Sequence, residues 1–223
     1  MHRALLLVVL VLLGNTAIAQ SWYKVEVLVF AQNNASSEEI WATGLQPHYA
    51  SQAVPIGQPE ASEMADPDAV ARGAWQPLSQ DDEVLGYMLE RMEGTGDYRE
   101  LYHAAWEQPI GSKAETLPVY VRGGQTLPTE DGEIPELEGT LQFSKSRYLH
   151  VTPQIWFNTE SNGERLYVDI DEKRRLAGHQ VYYVDQPCSA CWFALRGPEH
   201  VRPMLEHPVP AARSRNPATD RRP

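Results

Sequence analysis

The half of the chain beyond Gly139 alternates apolar and polar residues almost without pause, through GTLQFS (139–144), RYLHVTPQIWFN (147–158), RLYVDIDEKRRL (165–176), HQVYYVDQP (179–187) and CWFALRG (191–197). Successive side chains of a strand point to opposite faces, so a period of two commits this region to β-structure with one face in a core. Between the segments lie SNG (161–163), AGH (177–179) and the stretch around Cys188, each suited to reversing direction. The pattern predicts an antiparallel meander.

Upstream the signals are sparser. WYKVEVLVF (22–30) puts Tyr23, Val25, Val27 and Val29 on one face and Lys24, Glu26, Leu28 and Phe30 on the other, a strand buried on at least one side. Residues 31–77 turn to Asn, Ser, Gln, Pro and acids around the isolated Trp41 and Trp75, which predicts a long loop. Ser79 and Asp82 then form a weak capping box ahead of Val84, Leu85, Met88, Leu89 and Met92, the stripe of an amphipathic helix that Gly94 should end. DYRELYHAAWEQP (97–109) fits a strand through Tyr98, Tyr102, Ala104 and Trp106 and a short helix through Leu101, Ala104 and Ala105; the strand is preferred. A second loop is expected over 111–138, interrupted only by LPVYV. The fold class expected is therefore α+β, a largely antiparallel sheet with a helix packed on one face, in a single domain over 20–203. A helical crossover would set strand 98–106 parallel to strand 22–30.

The two ends read differently from this body. His2 and Arg3, the apolar run Ala4–Leu13 and Ala17-Ile18-Ala19 have the form of a cleaved secretory signal over 1–19, leaving Gln20 first. Ten apolar residues are too few to cross a bilayer, which needs about 20, and no Cys follows to carry a lipid. A periplasmic protein without membrane insertion is expected, with a flexible tail over 204–223, rich in Arg and Pro. Since Arg3 is the only charge in the signal, the net charge of -11 becomes -11 - 1 = -12 on cleavage. A surface so acidic repels nucleic acid, whose binding depends on phosphate neutralisation. Cys188 and Cys191 alone in an exported chain suggest a disulfide across a hairpin tip; strands on both sides of the pair argue against a redox motif, which would open a helix.

Catalytic equipment is missing from the sequence. The seven His are scattered without a zinc-binding pair, no G-x-S-x-G occurs, and Ser21-Trp22-Tyr23-Lys24 lacks the partner motifs its S-x-x-K pattern needs. Asp169 and Asp171 could act as acid and base but alternate with apolar residues like a solvated outer face. The expectation is a non-enzyme with no cofactor and no metal.

Polymer binding is better provided for. Saccharide polymers are held by aromatic faces with amide, carboxylate or guanidinium groups beside them, and the planar fork of Arg suits carboxylates. Trp106 with Gln108, Arg147 with Tyr148 and His150, and the run Lys173, Arg174, Arg175 with Tyr182, Tyr183 and Asp185 are the candidates. Each has a plainer alternative: Trp106 as a core aromatic, His150 as a sheet residue, Lys173–Arg175 as a charged turn that keeps an edge soluble.

Taken in order, YKVEVLVFAQ, DYRELYHAAWEQP, LEGTLQFSKSRYLHVTPQIWF and LYVDIDEKRRLAGHQVYYVDQP resemble the CsiV family of exported peptidoglycan-binding proteins. The family pattern departs here at Asp185-Gln186-Pro187, where it has Asp-His-Pro, and at Gln180-Val181-Tyr182-Tyr183, where it has Glu-Leu-His-Tyr; neither His is carried over. The resemblance carries His103, Trp106, Gln108, Arg147, Tyr148, His150, Arg174, Arg175, Tyr183 and Asp185 as site candidates. It implies a periplasmic accessory protein that binds peptidoglycan, through Arg147 and its neighbours for muropeptide carboxylates, and supports cell-wall synthesis. The implied partners are a bifunctional penicillin-binding protein and its outer-membrane lipoprotein activator. The alternative is a protein–protein adaptor of the envelope that works through a sheet edge or through Trp41 and Trp75.

Overall fold

Strand β1, Ser21–Gln32, is buried along nearly its whole length and on both faces, and the architecture follows from that. In the computed structural model, which describes residues 21–33, 45–58, 65–129, 132–161, 164–177, 180–185 and 189–197, β1 lies between β3 (Tyr98–Ile110) and β10 (Ser189–Arg196), antiparallel to both. With β9 (Val181–Asp185) they make a sheet of order β3-β1-β10-β9. The second sheet runs β2 (Val54–Pro55), β4 (Val119–Thr129), β5 (Gly132–Lys145), β6 (Leu149–Ser161) and β7 (Glu164–Ile170), and β8 (Arg174–Leu176) pairs β6 beyond the end of β7. Two helices are present among the described residues, α1 (Pro67–Ala71) and α2 (Gly86–Glu93), with a 3-10 turn at Gln80–Asp82.

The odd-numbered residues Tyr23, Val25, Val27 and Val29 of β1 meet Leu137, Leu141, Phe143, Val151, Ile155 and Phe157 of the second sheet in the main core. Its even-numbered Leu28 and Phe30 pack on the other side with Leu85, Leu89 and Met92 from around α2. Each such side chain, fully buried, contributes about 1.5–3 kcal/mol. The order of layers is thus α2, first sheet, second sheet.

This corrects the expected fold class. Among the described residues the protein is mostly β, with two sheets and a single helix of seven or more residues, and is not a helix-packed α+β sheet. The helical stripe was real but short: Ser79 accepts no helical N–H and instead donates to Asp82 across the 3-10 turn (3.2 Å), and the helix begins at Gly86. At eight residues α2 spans about 12 Å, far less than the roughly 40 Å of a 12-residue strand. The expected parallel pairing of β1 with β3 across a helical crossover is also corrected, since the two pair antiparallel. The excursion returns where it left, with Asn33 N–H donating to Asp97 O at 2.8 Å and Gln32 opposite Tyr98.

The preference for a strand at 97–109 holds in β3. Segments expected as loop carry structure: β2 and α1 fall within 31–77, and 119–138 is mostly the β4–β5 hairpin. Trp75, expected as an exposed contact, is 4% accessible in the core; Trp41 lies outside the described residues. The meander runs through β4, β5, β6 and β7, after which β9 and β10 leave it for the first sheet. The stretch read as one strand over 165–176 is two, broken at 171–173.

Gly139 is where the second sheet closes most tightly. It has φ of +145°, and a Cβ there would stand 2.1 Å from Gln154 O and 2.6 Å from Ile155 Cα. Gly139→Ala should cost roughly 3 kcal/mol in urea unfolding followed by circular dichroism, at the upper end for single substitutions. Gly96→Ala, with φ of +74° and open space around it, should cost only about 1 kcal/mol of backbone strain.

Candidate functional site

The β5–β6 turn and the short β8 meet at one end of the second sheet. Antiparallel register sets His150 opposite both Ser144 and Arg175, on the face turned away from the core, since the alternate residues Phe143, Val151 and Leu176 are buried. Tyr148 stands out from the turn, 43% exposed. The guanidinium of Arg175 lies over its ring at 4.6 Å and that of Arg147 at 5.4 Å, attractive positions for a cation on an aromatic. Arg174 turns aside to an exposed ion pair with Glu172 at 2.6 Å. Arg147, Tyr148 and Arg175, all exposed, with the half-buried His150 therefore form one cluster, which the separate stretches of sequence did not reveal as such.

A polar groove of about 440 Å³ continues along the same outer face. Its floor is Gln142 and Thr152, paired across β5 and β6, with Gln154 beyond them; residues 50–52 and 113–118 make its walls. Gln142 Nε2 holds one wall by donating to Lys113 O (2.9 Å) and Thr116 O (2.8 Å). Thr152 Oγ1 is buried in the floor with no hydrogen-bond partner. Farther along, the outer-face Trp156 is covered by His48, whose carbonyl accepts from the indole at 3.0 Å.

Other candidates lie elsewhere. Trp106 and Gln108 are both fully buried, the indole donating to Gln108 Oε1 at 2.7 Å and lying edge-on to Phe143. They share a strand face two residues apart, the spacing of a core pair as well as of a sugar platform, and offer no surface. Tyr183, 42% exposed, lies on the first sheet and stacks on Phe30. Asp185 ends β9 opposite Ala190. Cys191 is placed in β10 opposite Val29 and Val184, while Cys188 lies outside the described residues, as does the expected signal segment. On β7, burial and then the nearby Asp171 push the Asp169 carboxyl up.

A second cleft, about 530 Å³, opens beside β3 and is lined by Glu83, Tyr102, His103 and Arg122 among others. Behind it, on β1, is Glu26, 2% exposed, which accepts from Val84 N–H (2.7 Å), Leu85 N–H (2.9 Å) and the His103 ring (2.9 Å). Glu26, Glu83 and His103 bring ligand atoms within 4.8 Å of one another. Three hydrogen bonds already occupy the Glu26 carboxylate, however, and a cation would face the backbone N–H groups leading into α2, so the chemistry of the set fits a structural cap better than a metal centre.

A family model described as peptidoglycan-binding protein CsiV matches residues 3–190. The chain belongs to the CsiV family. No significant match was found among curated proteins or among solved structures. The match spans every element from β1 to β9, so what this CsiV chain offers a ligand has to be sought on the surfaces those elements expose.

Two features of this CsiV protein escaped the reading of its sequence. Glu26 had a faint signal, an acid in a strand whose other inner positions are Val, Leu and Phe. The groove had almost none, because Thr152 and Gln154 alternate with buried residues as any outer face does. His103 is raised in pKa, chiefly by its hydrogen bond to Glu26 and further by the charges of Glu26, Glu83 and Glu100, against the opposing effect of burial. Its protonated form therefore stabilises the fold fully below about pH 6.5, the ordinary value, and that contribution is lost as pH rises through the higher folded-state value. Melting temperature should fall over that interval in the wild type and be flatter in His103→Gln; equal slopes would remove His103 as the cause.

Proposed function

We propose that this protein is a non-catalytic, periplasmic accessory of cell-wall synthesis that binds peptidoglycan through the cluster of Arg147, Tyr148, His150 and Arg175. The observation that carries the reading is the gathering of two guanidiniums around one exposed tyrosine, on the same outer sheet face as a polar groove, in a chain whose net charge is -11. Exposed Arg forks beside hydroxyl and amide groups suit a polymer that bears carboxylates and amides. The family's name supports the ligand. The reading extends to a bifunctional penicillin-binding protein and its outer-membrane lipoprotein activator as partners, on the resemblance alone. The adaptor alternative loses Trp75, which is buried.

Co-sedimentation with isolated sacculi tests it. Wild type should pellet, and Arg147→Ala combined with Tyr148→Ala, shown to be folded by circular dichroism, should remain in the supernatant. Wild type that stays in the supernatant overturns peptidoglycan binding for this chain. The crosslink between Cys188 and Cys191 belongs to the same reading of an exported chain: non-reducing peptide mapping of protein taken from the periplasm should recover the pair linked, and two free thiols would remove it.

A further inference from the structure

We propose that the part of peptidoglycan recognised here is the stem peptide, laid extended in the groove along β6 with its carboxylate end on Arg147 and Arg175, and not the glycan strand. This rests on the reading of the cluster as the wall-binding site. A sugar ring stacks on an open aromatic face, and the ring of Tyr148, the exposed aromatic of this cluster, already has two guanidiniums over it at 4.6 and 5.4 Å. What the cluster presents outward is cationic. In peptide-bearing peptidoglycan the lactyl carboxyl of each muramic acid is consumed in the amide to its peptide, so the sugars are neutral and the free carboxylates belong to the stems. Paired Arg forks at this position select the peptide.

The groove agrees with that ligand in length and in chemistry. From His150 in the cluster, past Thr152 in the groove floor, to Gln154 at its far end is four residues of one strand face, about 13 Å at the usual rise, the reach of four extended residues. Gln52 and Gln154 line it with amide side chains that make no hydrogen bond among the described residues, and Thr152 adds a buried hydroxyl without a partner. An extended peptide brings alternating N–H and C=O groups past such a floor, and a buried polar atom without a partner is a place where a ligand group gains more than it loses.

Competition against intact sacculi separates the possibilities, with two probes in large excess: the free stem tetrapeptide and peptide-free glycan oligomers. The tetrapeptide should displace wild type by at least tenfold and the glycan should leave it bound. Displacement by the glycan, or by neither probe, overturns the stem-peptide assignment while wall binding stands; wild type that never pellets overturns both. Thr152→Val supplies a second readout, since removal of a hydroxyl that lacks a partner should leave melting temperature equal or higher and yet weaken tetrapeptide competition about tenfold. Unchanged competition in Thr152→Val would show that the peptide does not enter the groove.

Discussion

A strand buried on both faces can accept a charged side chain only if the charge is fully engaged, and Glu26 in the middle of β1 meets that condition. Its carboxylate takes the two N–H groups at the entry to α2 and the ring of His103 on the neighbouring strand. One side chain thereby fixes the helix layer to the sheet and β1 to β3. Without the helix, Leu28 and Phe30 would face water; without the second sheet, Val25, Val27 and Val29 would. The remaining layers are arranged to prevent both.

That rigid frame bears on the candidate site, which stands at the opposite side of the molecule's layering, on the outer face of the second sheet. The cluster is assembled from a turn, a long strand and a three-residue strand, and what holds them in register is the β6 ladder, shared by β5 on one side and by β7 and β8 on the other. Leu149 and Leu176, opposite each other and buried, tie that end of the ladder to the core. Arg175 and His150 stand on paired strands, and Arg147 and Tyr148 on the short turn between β5 and β6, whose ends the ladder clamps; a shorter tether leaves less ordering entropy to be spent on binding. The local concentration of positive charge also stands out because the rest of the chain is acidic.

Much of this was visible in the chain itself, with limits of a physical kind. Arg147, Tyr148 and His150 are neighbours in sequence and emerged together; Arg175 joined them only through the pairing of β8 with β6. Trp106 and Gln108 stood as binding candidates with the core as the plainer alternative for Trp106, and both are buried, because an indole beside an amide satisfies itself in a core as well as it satisfies a sugar, and the two cases share one sequence pattern. The short helix was overextended because Glu26, 58 residues before Val84, does the capping that Ser79 was expected to do.

The sequence by itself determined much of the local conformation: period-two alternation for β1 and the strands beyond Gly139, an apolar stripe through Met88, Leu89 and Met92 for α2, turn residues at the reversals, and the family to which the chain belongs. These depend on residues within a few positions of each other, and side-chain direction along a strand follows from backbone geometry alone. Only the tertiary structure decided which strands share a sheet, that there are two sheets, which outer face stays open, and that an arginine 28 positions from another would share its tyrosine. Those outcomes turn on register between distant segments, which is not written in any local stretch of residues.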